Sequence, residues 1–527
     1  MSKFSCFDKS SGQTESKIMQ TIPGVLKQTA NKNPDLAAIV DNGTTTSYRD
    51  LQHQVLKVAA ALQAKGLGKE DKFAIWAPNC AEWIVIALAG QTLGGVLVTL
   101  NTRYKGSEAA DIIRRSGCKL LLTVDGFLGL DYPSMIEGED LPDLQETIIL
   151  RNKDGNDGFQ NLLSFANAPL AEEALDYIGP DDPSDIIFTS GTTGLPKGAV
   201  THHGQNISVF DVFTNAIDMQ RGDRYLVVNP FFHSFGYKAG WLSCLIRAAT
   251  IYPLGVFDPG DVLRRIEEDR ITVMPGAPTI FQTIMDHPDF DKRDLSSLRL
   301  ATTGATVIPV DLIRKMHEVI GINHVYSAYG LTETCGVVSL CRKGDNFETI
   351  ATTVGRPLPE TEVILVDEDG NQVDTGEEGE IWVRGFNTMQ GYLDAPEDTA
   401  QTITSDGWLK TGDIGTMDDK GYLRITDRKK DMIIVGGFNA YPAEIEKWLM
   451  QHPDVIDAAV IGMADDRLGE VPQAFIISRT PDIETEVLMT WIKERISNFK
   501  VPRKITVLED LPRNASGKVQ KYLLEEM

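Results

Sequence analysis

The feature of this sequence that most constrains its fold is an order of helix, glycine and strand that recurs along much of the chain. Residues 107–115 are predicted to form a helix that ends at Gly117, and residues 119–124 form the strand that follows. Asp261 is predicted to cap another helix, and a further strand begins at Ile271. That second helix has an apolar face made by Val262, Leu263 and Ile266. This alternation is typical of an α/β fold with largely parallel sheets.

Residues 83–102 carry no charge, and the stretch is long enough to span a bilayer as a helix. Polar Gln91 and Thr92 and the glycine pair at 94–95 interrupt it, and a strongly β-forming run follows at 96–98. The pattern therefore favours a buried helix that turns through the glycines into a buried strand. A transmembrane helix is the alternative.

The later part of the sequence changes to short strands separated by tight turns. Two of these turns fall at 367–370 and 418–421, where acidic residues lead into a glycine. We therefore expect a small β-rich subdomain over residues 355–429. Mixed helices and strands return in residues 430–527.

Charge and cysteine content exclude some classes of protein. Lys and Arg number 51 against 75 Asp and Glu, which gives a net charge of −24. A protein that coats nucleic acid or an anionic membrane needs a broad basic surface, so neither partner is expected. The six cysteines form no CxxC pair, and residues 1–20 show no signal peptide. We therefore expect reduced, mostly buried thiols in a cytoplasmic protein.

The strongest local signal is a short apolar strand that runs into a loop rich in Gly, Ser and Thr, at residues 187–198. Small residues let backbone N–H groups converge on a phosphate, hydroxyls add donors, and Lys197 adds a positive charge. The spacing is not that of a Walker A loop. A flexible surface loop is the alternative, but it does not explain the rigid Pro-Lys-Gly ending at 196–198.

This loop resembles the phosphate-binding signature of the adenylate-forming superfamily, which includes acyl-CoA synthetases, firefly luciferase and the adenylation domains of peptide synthetases. Further similar motifs follow in the expected order across most of the chain. The resemblance implies a large N-terminal adenylation domain of α/β subdomains over residues 1–429 and a small, mobile α+β C-terminal domain over residues 430–527. It assigns phosphate binding to Thr189, Ser190, Gly191, Thr192, Thr193, Gly194 and Lys197.

Residues 326–334 are similar to the second core motif of the superfamily. The resemblance implies that Tyr329 stacks on adenine with Gly330 beside it, that Thr332 contacts the α-phosphate and that Glu333 holds Mg²⁺. One carboxylate beside phosphate oxygens is a set of ligands that suits Mg²⁺. The segment that borders adenine and the acyl pocket is matched by Thr303, Gly304 and Ala305.

Further motifs complete the ribose, catalytic and CoA sites by resemblance. Asp413 matches the Asp that binds both ribose hydroxyls, and Arg428 matches the Arg on the other side of the ribose. Lys518 matches the catalytic Lys, a cation that bridges the attacking carboxylate and the α-phosphate. Lys430 aligns with the hinge of the C-terminal domain. The loop that lines the CoA tunnel is matched by Gly436, Gly437 and Phe438.

Residues 229–237 resemble one wall of the pocket for the carboxylic acid. Amino-acid-activating relatives carry an Asp near the position of His233, so amino-acid substrates are disfavoured. His233 either gates the approach of the carboxylate or the thiol, or is a packed, neutral core histidine. An apolar pocket for an aliphatic or alicyclic acid is predicted. Its lining is assigned to Phe232, His233, Tyr237, Trp241, Thr303, Gly304 and Ser327.

Residues 230–240 and 425–432 look like the CoA ligases that activate the ring-fragment propanoate in bacterial steroid degradation. General fatty acyl-CoA synthetases contain similar stretches. The predicted function is therefore an ATP-dependent, AMP-forming acyl-CoA synthetase that uses Mg²⁺ and coenzyme A on a fatty or alicyclic acid.

The two alternative functions are those of an acyl-AMP ligase and of a non-catalytic nucleotide-binding protein. An acyl-AMP ligase that loads a carrier protein often carries an insertion that blocks CoA, and no extra block is evident before Arg428. A non-catalytic nucleotide-binding relative should have lost Lys197, Glu333 or Lys518, and all three are present. The sequence leaves a homodimer open.

Overall fold

The protein is described from a computed structural model. It describes residues 20–151, 158–165, 168–189, 196–304, 308–428, 431, 433–435, 438–440, 442–465, 468–480, 483–493, 495–496, 498–513 and 518–527. Four sheets organise these residues, and the largest two are mainly parallel. The predicted α/β class is therefore confirmed.

Nine of the described strands form the largest sheet. Its six central strands run parallel, and antiparallel strands close both edges. Parallel neighbours need long crossovers, and helices supply them here, so apolar side chains pack on both faces of the sheet. In spatial order the strands are Arg356–Pro357, Ser339–Leu340, His324–Tyr329, Leu300–Gly304, Val273–Pro275, Arg224–Val227, Thr250–Pro253, Ala37–Asp41 and Thr44–Ser47.

A second sheet contains seven of the described strands. Five are parallel, and an antiparallel hairpin and a two-residue strand close one edge. The hairpin encloses the predicted phosphate loop. In spatial order the strands are Gly391–Tyr392, Lys197–His202, Pro183–Thr189, Val96–Thr99, Lys72–Trp76, Cys118–Thr123 and Glu146–Ile149.

The uncharged stretch at 83–102 forms the buried helix and strand that its pattern predicts. Helix Ala81–Thr92 ends near Gly94, whose φ of +76° suits a residue without a Cβ, and strand Val96–Thr99 follows with every residue buried. Within the described parts of the chain, no helix is long and apolar enough to cross a membrane.

Two smaller sheets lie later in the chain. The first is wholly antiparallel and confirms the predicted β-rich region. Its strands are Thr361–Val366, Gly379–Gly385, Leu409–Met417 and Leu423–Arg428. The second sheet mixes with helices, as expected for the last hundred residues, and its strands are Phe438–Ala440, Ile433–Val435, Gly469–Ser478, Val455–Asp465 and Lys504–Leu508. The domain boundary at 429 and the subdomain boundary at 355 stay predictions.

The helices of the large α/β part come first in the chain. They are Ile22–Lys32, Tyr48–Ala64, Ala81–Thr92, Gly106–Ser116, Tyr132–Met135, Gly158–Leu163, Ala168–Ala174, His203–Ala216, Ser234–Gly236, the π-helical turn Tyr237–Leu242, Ser243–Arg247, Pro259–Glu268, Pro278–Met285, Val310–Glu318 and Phe347–Thr352. Later helices are Pro396–Thr402, Pro442–Leu449, Thr485–Lys493 and Lys521–Leu524. Single 3₁₀ turns are Phe127–Gly129, Leu175–Tyr177, Phe290–Lys292, Thr332–Thr334 and Asn498–Lys500.

One predicted helix start is wrong by one turn. Asp258, not Asp261, caps helix Pro259–Glu268, and its Oδ1 accepts a hydrogen bond from the Asp261 backbone N–H at 2.7 Å. Pro259 explains the difference, because a proline has no N–H to satisfy and fits the first helical position. The next strand begins at Val273 rather than at Ile271.

Candidate active site

The hairpin in the seven-stranded sheet places the two ends of the predicted phosphate loop side by side. Thr189 ends its first strand and pairs in register with Lys197, which begins its second. The backbone ladder therefore fixes a hydroxyl and an ammonium at the mouth of the loop. Five of the predicted loop residues lie outside the described residues: Ser190, Gly191, Thr192, Thr193 and Gly194.

Glu333, the predicted Mg²⁺ ligand, faces this loop. Its Oε1 accepts hydrogen bonds from Thr189 Oγ1 at 3.1 Å and from the Tyr392 hydroxyl at 3.0 Å. Burial, and then the Glu333 carboxylate, raise the pKa of Tyr392, so the phenol stays protonated and can donate. Glu333 lies on the 3₁₀ turn Thr332–Thr334, in which Thr332 is buried. The structure thus brings together two predicted residues and one, Tyr392, that the sequence analysis missed.

Gly330 shows why the chain can make this tight turn. A Cβ at this position would lie 2.2 Å from the carbonyl oxygen of Gly336. No side chain could be placed there without moving backbone, so the close approach of these two segments depends on glycine.

Lys197 is held by a second residue that the sequence analysis missed. Its Nζ lies 2.5 Å from Oδ1 of Asp398, in the first turn of helix Pro396–Thr402, and 5.5 Å from the centre of the Tyr392 ring. The Lys197 side chain is only 14% exposed. The Lys197 ammonium is therefore held between a carboxylate and an aromatic face at the mouth of the phosphate loop.

The predicted adenine and ribose residues contact each other. The Tyr329 hydroxyl donates to Oδ2 of Asp413 at 2.5 Å, and Asp413 is 3% exposed. Arg428 pairs in register with Asp413 across two antiparallel strands, which places its backbone beside the same site. The β-rich sheet therefore brings Asp413 and Arg428 together, as their predicted shared role requires.

His233 caps a short helix in the segment predicted to line the acid pocket. Its Nδ1 accepts a hydrogen bond from the Phe235 N–H at 3.2 Å. Burial, and then the positive charge of Lys238, lower the pKa of His233, so the ring is neutral at pH 7. Gly236 allows the tight chain path here, because a Cβ on it would lie 2.2 Å from the carbonyl oxygen of Pro230.

Tyr237 and Trp241 lie in the packed core rather than on an open surface. Their rings stack at 4.7 Å, and Trp83 packs against both. The Tyr237 hydroxyl accepts a hydrogen bond from Gln91 at 2.9 Å. Neither aromatic side chain is exposed in this structure, and their role in lining a pocket stays a prediction.

Three of the other predicted pocket residues lie toward the carboxyl ends of parallel strands. Thr303 and Ser327 are buried and pair in register on neighbouring strands, and Gly304 follows Thr303. Phe232 is half-buried, and its carbonyl oxygen accepts a hydrogen bond from Thr99 at 2.7 Å. Ligand sites in α/β sheets occur at these strand ends, which agrees with the predicted placement.

The predicted hinge residue, two residues of the predicted CoA loop and one residue predicted to border adenine lie outside the described residues. They are Lys430, Gly436, Gly437 and Ala305. Phe438 begins strand Phe438–Ala440. Lys518 is exposed, and it lies next to Val519, which forms an isolated antiparallel bridge with Arg513. Their roles in catalysis, in CoA binding and in the hinge stay predictions.

Comparisons with known proteins agree with the fold. The AMP-binding enzyme family matches residues 26–393, and the AMP-binding enzyme C-terminal domain matches residues 444–518. Because the first match alone spans more than half of the chain, the protein belongs to the AMP-binding enzyme family.

Two relatives and a solved structure indicate which kind of AMP-binding enzyme this chain resembles. Two CoA ligases, from Rhodococcus jostii (strain RHA1) and Mycobacterium tuberculosis (strain ATCC 25618 / H37Rv), are each 43% identical to this chain. The matches cover 96% and 97% of this chain and 98% and 99% of the relatives. Both relatives are named for a propanoyl group on a methyl-dioxo-octahydroindenyl ring system.

The solved structure is an o-succinylbenzoate coenzyme A synthetase from Bacillus subtilis in complex with ATP and magnesium ion. It is 30% identical to this chain with a TM-score of 0.82, and the match covers 95% of this chain and 99% of that one. The protein is accordingly an acid–thiol ligase, an AMP-forming acyl-CoA synthetase that uses ATP and CoA. The family and function expected from the sequence motifs are confirmed.

Proposed function

We propose that this protein activates a bicyclic or other alicyclic propanoate as its acyl-adenylate and transfers the acyl group to CoA. The observation that supports the nucleotide half of this proposal is the convergence of Thr189, Lys197 and Glu333 at one loop. The choice of acid is supported by two relatives, 43% identical over nearly their whole length, that are named for a ring-bearing propanoyl group.

Mg²⁺ fits the residues around Glu333. This carboxylate is half-buried, and two neutral hydroxyls, from Thr189 and Tyr392, orient it without neutralising its charge. Among the described residues, no group of three or more His, Cys, Asp or Glu side chains could hold a metal ion. One carboxylate with substrate phosphates is the usual way that proteins hold Mg²⁺, so Glu333 would hold the ion that accompanies ATP and balances phosphate charge.

In the first half-reaction, the substrate carboxylate attacks the α-phosphorus of ATP and pyrophosphate leaves. Lys197 would bind the leaving phosphates, Thr332 would contact the α-phosphate, and Lys518 would stabilise the negative charge where the two anions meet. Tyr329 and Asp413 would hold adenine and ribose, with Arg428 on the other side of the ribose. These groups act by position and charge, which is how enzymes accelerate a reaction between two anions.

In the second half-reaction, the CoA thiol releases its proton to solvent and its sulfur forms a bond to the acyl carbon. The bond between that carbon and the phosphate oxygen breaks, and AMP leaves. Gly436, Gly437 and Phe438 would border the entry path of the thiol, and Lys430 would be the hinge by which Lys518 withdraws. His233 is neutral at pH 7, so it can orient a carboxylate or a thiol by hydrogen bonding without an added charge. The names of the relatives favour free CoA over a carrier protein as the acceptor.

The experiment is a substrate series with the full chain, ATP, MgCl₂ and CoA. The acids are the methyl-dioxo-octahydroindenyl propanoate, 3-cyclohexylpropanoate, hexanoate, decanoate and palmitate, with pyrophosphate release and thioester mass as readouts. We expect kcat/KM for the bicyclic acid to exceed that for each straight-chain acid by about tenfold or more, the discrimination that apolar contacts supply. A straight-chain acid that equals the bicyclic one contradicts the choice of acid. Omitting CoA or Mg²⁺ tests each cofactor separately.

We also propose a cytoplasmic location. Every cysteine that the structure describes is free and buried: Cys80, Cys118, Cys244, Cys335 and Cys341. Reduced thiols are typical of the cytoplasm. Fractionation of cells that express the protein, with a cytoplasmic marker enzyme as the reference, tests the location.

A further inference from the structure

A fully buried ion pair lies between the strands of the phosphate-loop hairpin and the segment that follows His233. Nζ of Lys238 is 2.9 Å from Oδ1 of Asp185, and both side chains are 0% exposed. Neither residue has a role in the two half-reactions described above. Lys238 falls within the 230–240 segment, in which functions were predicted for Phe232, His233 and Tyr237 but not for Lys238.

Each charge of this pair is surrounded by hydrogen-bond partners. The Lys238 ammonium also donates to Thr201 Oγ1 at 2.8 Å and contacts Cys335 Sγ at 3.8 Å. Oδ2 of Asp185 accepts from Ser184 and Asn206, each at 2.7 Å. Burial lowers the pKa of Lys238, but the Asp185 carboxylate and Cys335 together outweigh burial and raise the pKa, so the lysine stays charged.

Several of these residues lie on segments that carry the candidate active site. Asp185 lies on the strand that enters the phosphate loop at Thr189, and Thr201 lies on the strand that leaves it. Lys238 lies on the π-helical turn Tyr237–Leu242, close behind His233. Cys335 directly follows the turn that carries Glu333, and its thiol donates to Asn206 at 2.7 Å.

Stability alone does not account for such a pair. Two charges lose much of their hydration on burial, and replacing a buried ion pair by apolar groups of similar size is often neutral or stabilising. What the pair supplies is a fixed geometry, because an ammonium with three partners in fixed places holds the segments in one arrangement. Single π-helical turns also occur frequently at functional sites.

We propose that Lys238 is a positioning residue for adenylation, which holds the acid-pocket segment in a fixed place relative to the phosphate loop and the Glu333 turn. This inference rests on the proposed acyl-adenylate chemistry. The acid and ATP bind to different segments of the site, so loosening the connection changes how the carboxylate meets the α-phosphorus more than how either ligand binds. Misplacement by about 1 Å can cost a reaction about a hundredfold in rate.

The test is the double substitution Lys238→Met with Asp185→Asn, which removes both charges and keeps side chains of similar length. The matched control is Arg299→Met with Asp223→Asn. It removes a second cation–carboxylate pair, in which Nε of Arg299 lies 3.1 Å from Oδ1 of Asp223 and the Asp223 side chain is 5% exposed. This pair lies at the amino ends of strands in the nine-stranded sheet. Both variants and the parent are assayed for pyrophosphate release, for KM of ATP and acid, and for thioester formation from pre-made acyl-AMP.

For the Lys238/Asp185 variant we expect kcat for adenylation to fall by about tenfold or more, with KM for ATP and thioester formation each within about threefold of the parent. The control should keep all three within about threefold. Unchanged adenylation, an equal loss in both half-reactions, or an equal loss in the control overturns the inference. If the double variant does not fold, Thr201→Val removes one partner of each charge. For Thr201→Val we expect kcat for adenylation to fall by about threefold without a matching change in KM for ATP or in thioester formation. A variant that shows no such difference overturns the inference.

The acid in these assays is the member of the substrate series that the parent adenylates fastest. A parent that prefers decanoate to the bicyclic propanoate contradicts the proposed substrate but leaves the comparison of variants intact. Failure of the positioning role therefore shows separately from failure of the proposed function.

Discussion

The phenol hydroxyl of Tyr329 donates a hydrogen bond to Oδ2 of Asp413 at 2.5 Å, although the two residues are 84 positions apart in the chain. Tyr329 ends a strand of the nine-stranded sheet, and Asp413 lies on the antiparallel sheet of the β-rich region. Hydrogen bonds to a charged group are the stronger kind, so this bond fixes the carboxylate proposed to hold the ribose relative to the ring proposed to stack on adenine.

Tyr329→Phe should raise KM for ATP by about tenfold and leave kcat within about threefold, because it keeps the ring but removes a donor to a buried carboxylate. Initial rates of pyrophosphate release over a range of ATP concentrations measure both constants. The matched control is Tyr422→Phe, which removes a similar bond, from the Tyr422 hydroxyl to Asp345 at 2.5 Å. Equal rises in KM for the two variants would show that the Tyr329 bond serves the fold and not the nucleotide.

Substitutions of Lys197 and of Asp398 should change KM for ATP in opposite directions. Lys197→Ala should raise KM for ATP by about tenfold or more, because it removes the ammonium that meets the phosphates. Asp398→Asn should instead lower KM by about two- to fivefold, because it removes a carboxylate, 35% exposed, that competes with phosphate for the same ammonium. The same steady-state assay reports both. A rise in KM for Asp398→Asn would mean that the carboxylate orients Lys197 rather than competing for it.

Much of the fold could be predicted from local patterns. Alternating helices and strands, the interrupted uncharged stretch at 83–102 and the acidic turns before Gly370 and Gly421 all reflect short-range rules of periodicity and turn chemistry. The strand that enters the phosphate loop was predicted for the same reason, whereas the returning strand Lys197–His202, which completes the hairpin, was not predicted.

The contacts within the site were less predictable. Tyr392 reaches Glu333 only because the two-residue strand Gly391–Tyr392 adds to the edge of the seven-stranded sheet, and so short a strand has no periodic pattern. Asp398 and Lys197 are 201 residues apart, so their pairing depends on sheet topology. Tyr237 was predicted to line the acid pocket, but it packs in the core. The sequence does not separate these two cases, because an aromatic residue in a pocket and one in the core look the same in it.

Lys518→Ala should separate the two half-reactions. Without the cation that bridges the carboxylate and the α-phosphate, acyl-AMP formation should fall by about a hundredfold or more, which is typical when a preorganised charge is removed. Thioester formation from pre-made acyl-AMP and CoA should stay within about threefold of the parent, because in the proposed mechanism Lys518 has withdrawn from the site before that step. The control is Lys504→Ala, another exposed lysine of the same C-terminal region. An equal loss in both half-reactions would contradict the role of Lys518.

His203 should make the folded state sensitive to acid. The residue is 0% exposed at the start of helix His203–Ala216, and its Nδ1 accepts a hydrogen bond from the Ile22 N–H at 3.3 Å. Burial lowers its pKa from 6.5 to about 4, against the opposing pull of the Asp185 and Asp182 carboxylates. Between these two values the unfolded chain binds a proton that the folded chain excludes.

His203 therefore does not reduce the free energy of unfolding above pH 6.5, and it reduces this free energy progressively as the pH falls toward about 4. At about 1.4 kcal/mol per pH unit, the loss over this window is about 3 kcal/mol. Urea unfolding at several pH values measures it as the difference between the parent and His203→Gln, which cannot take up this proton. The control is His53→Gln, at an exposed position on helix Tyr48–Ala64, which should follow the parent. If His203→Gln loses stability as steeply as the parent, the proton is taken up elsewhere, and His203 is not the group that makes the fold acid-sensitive.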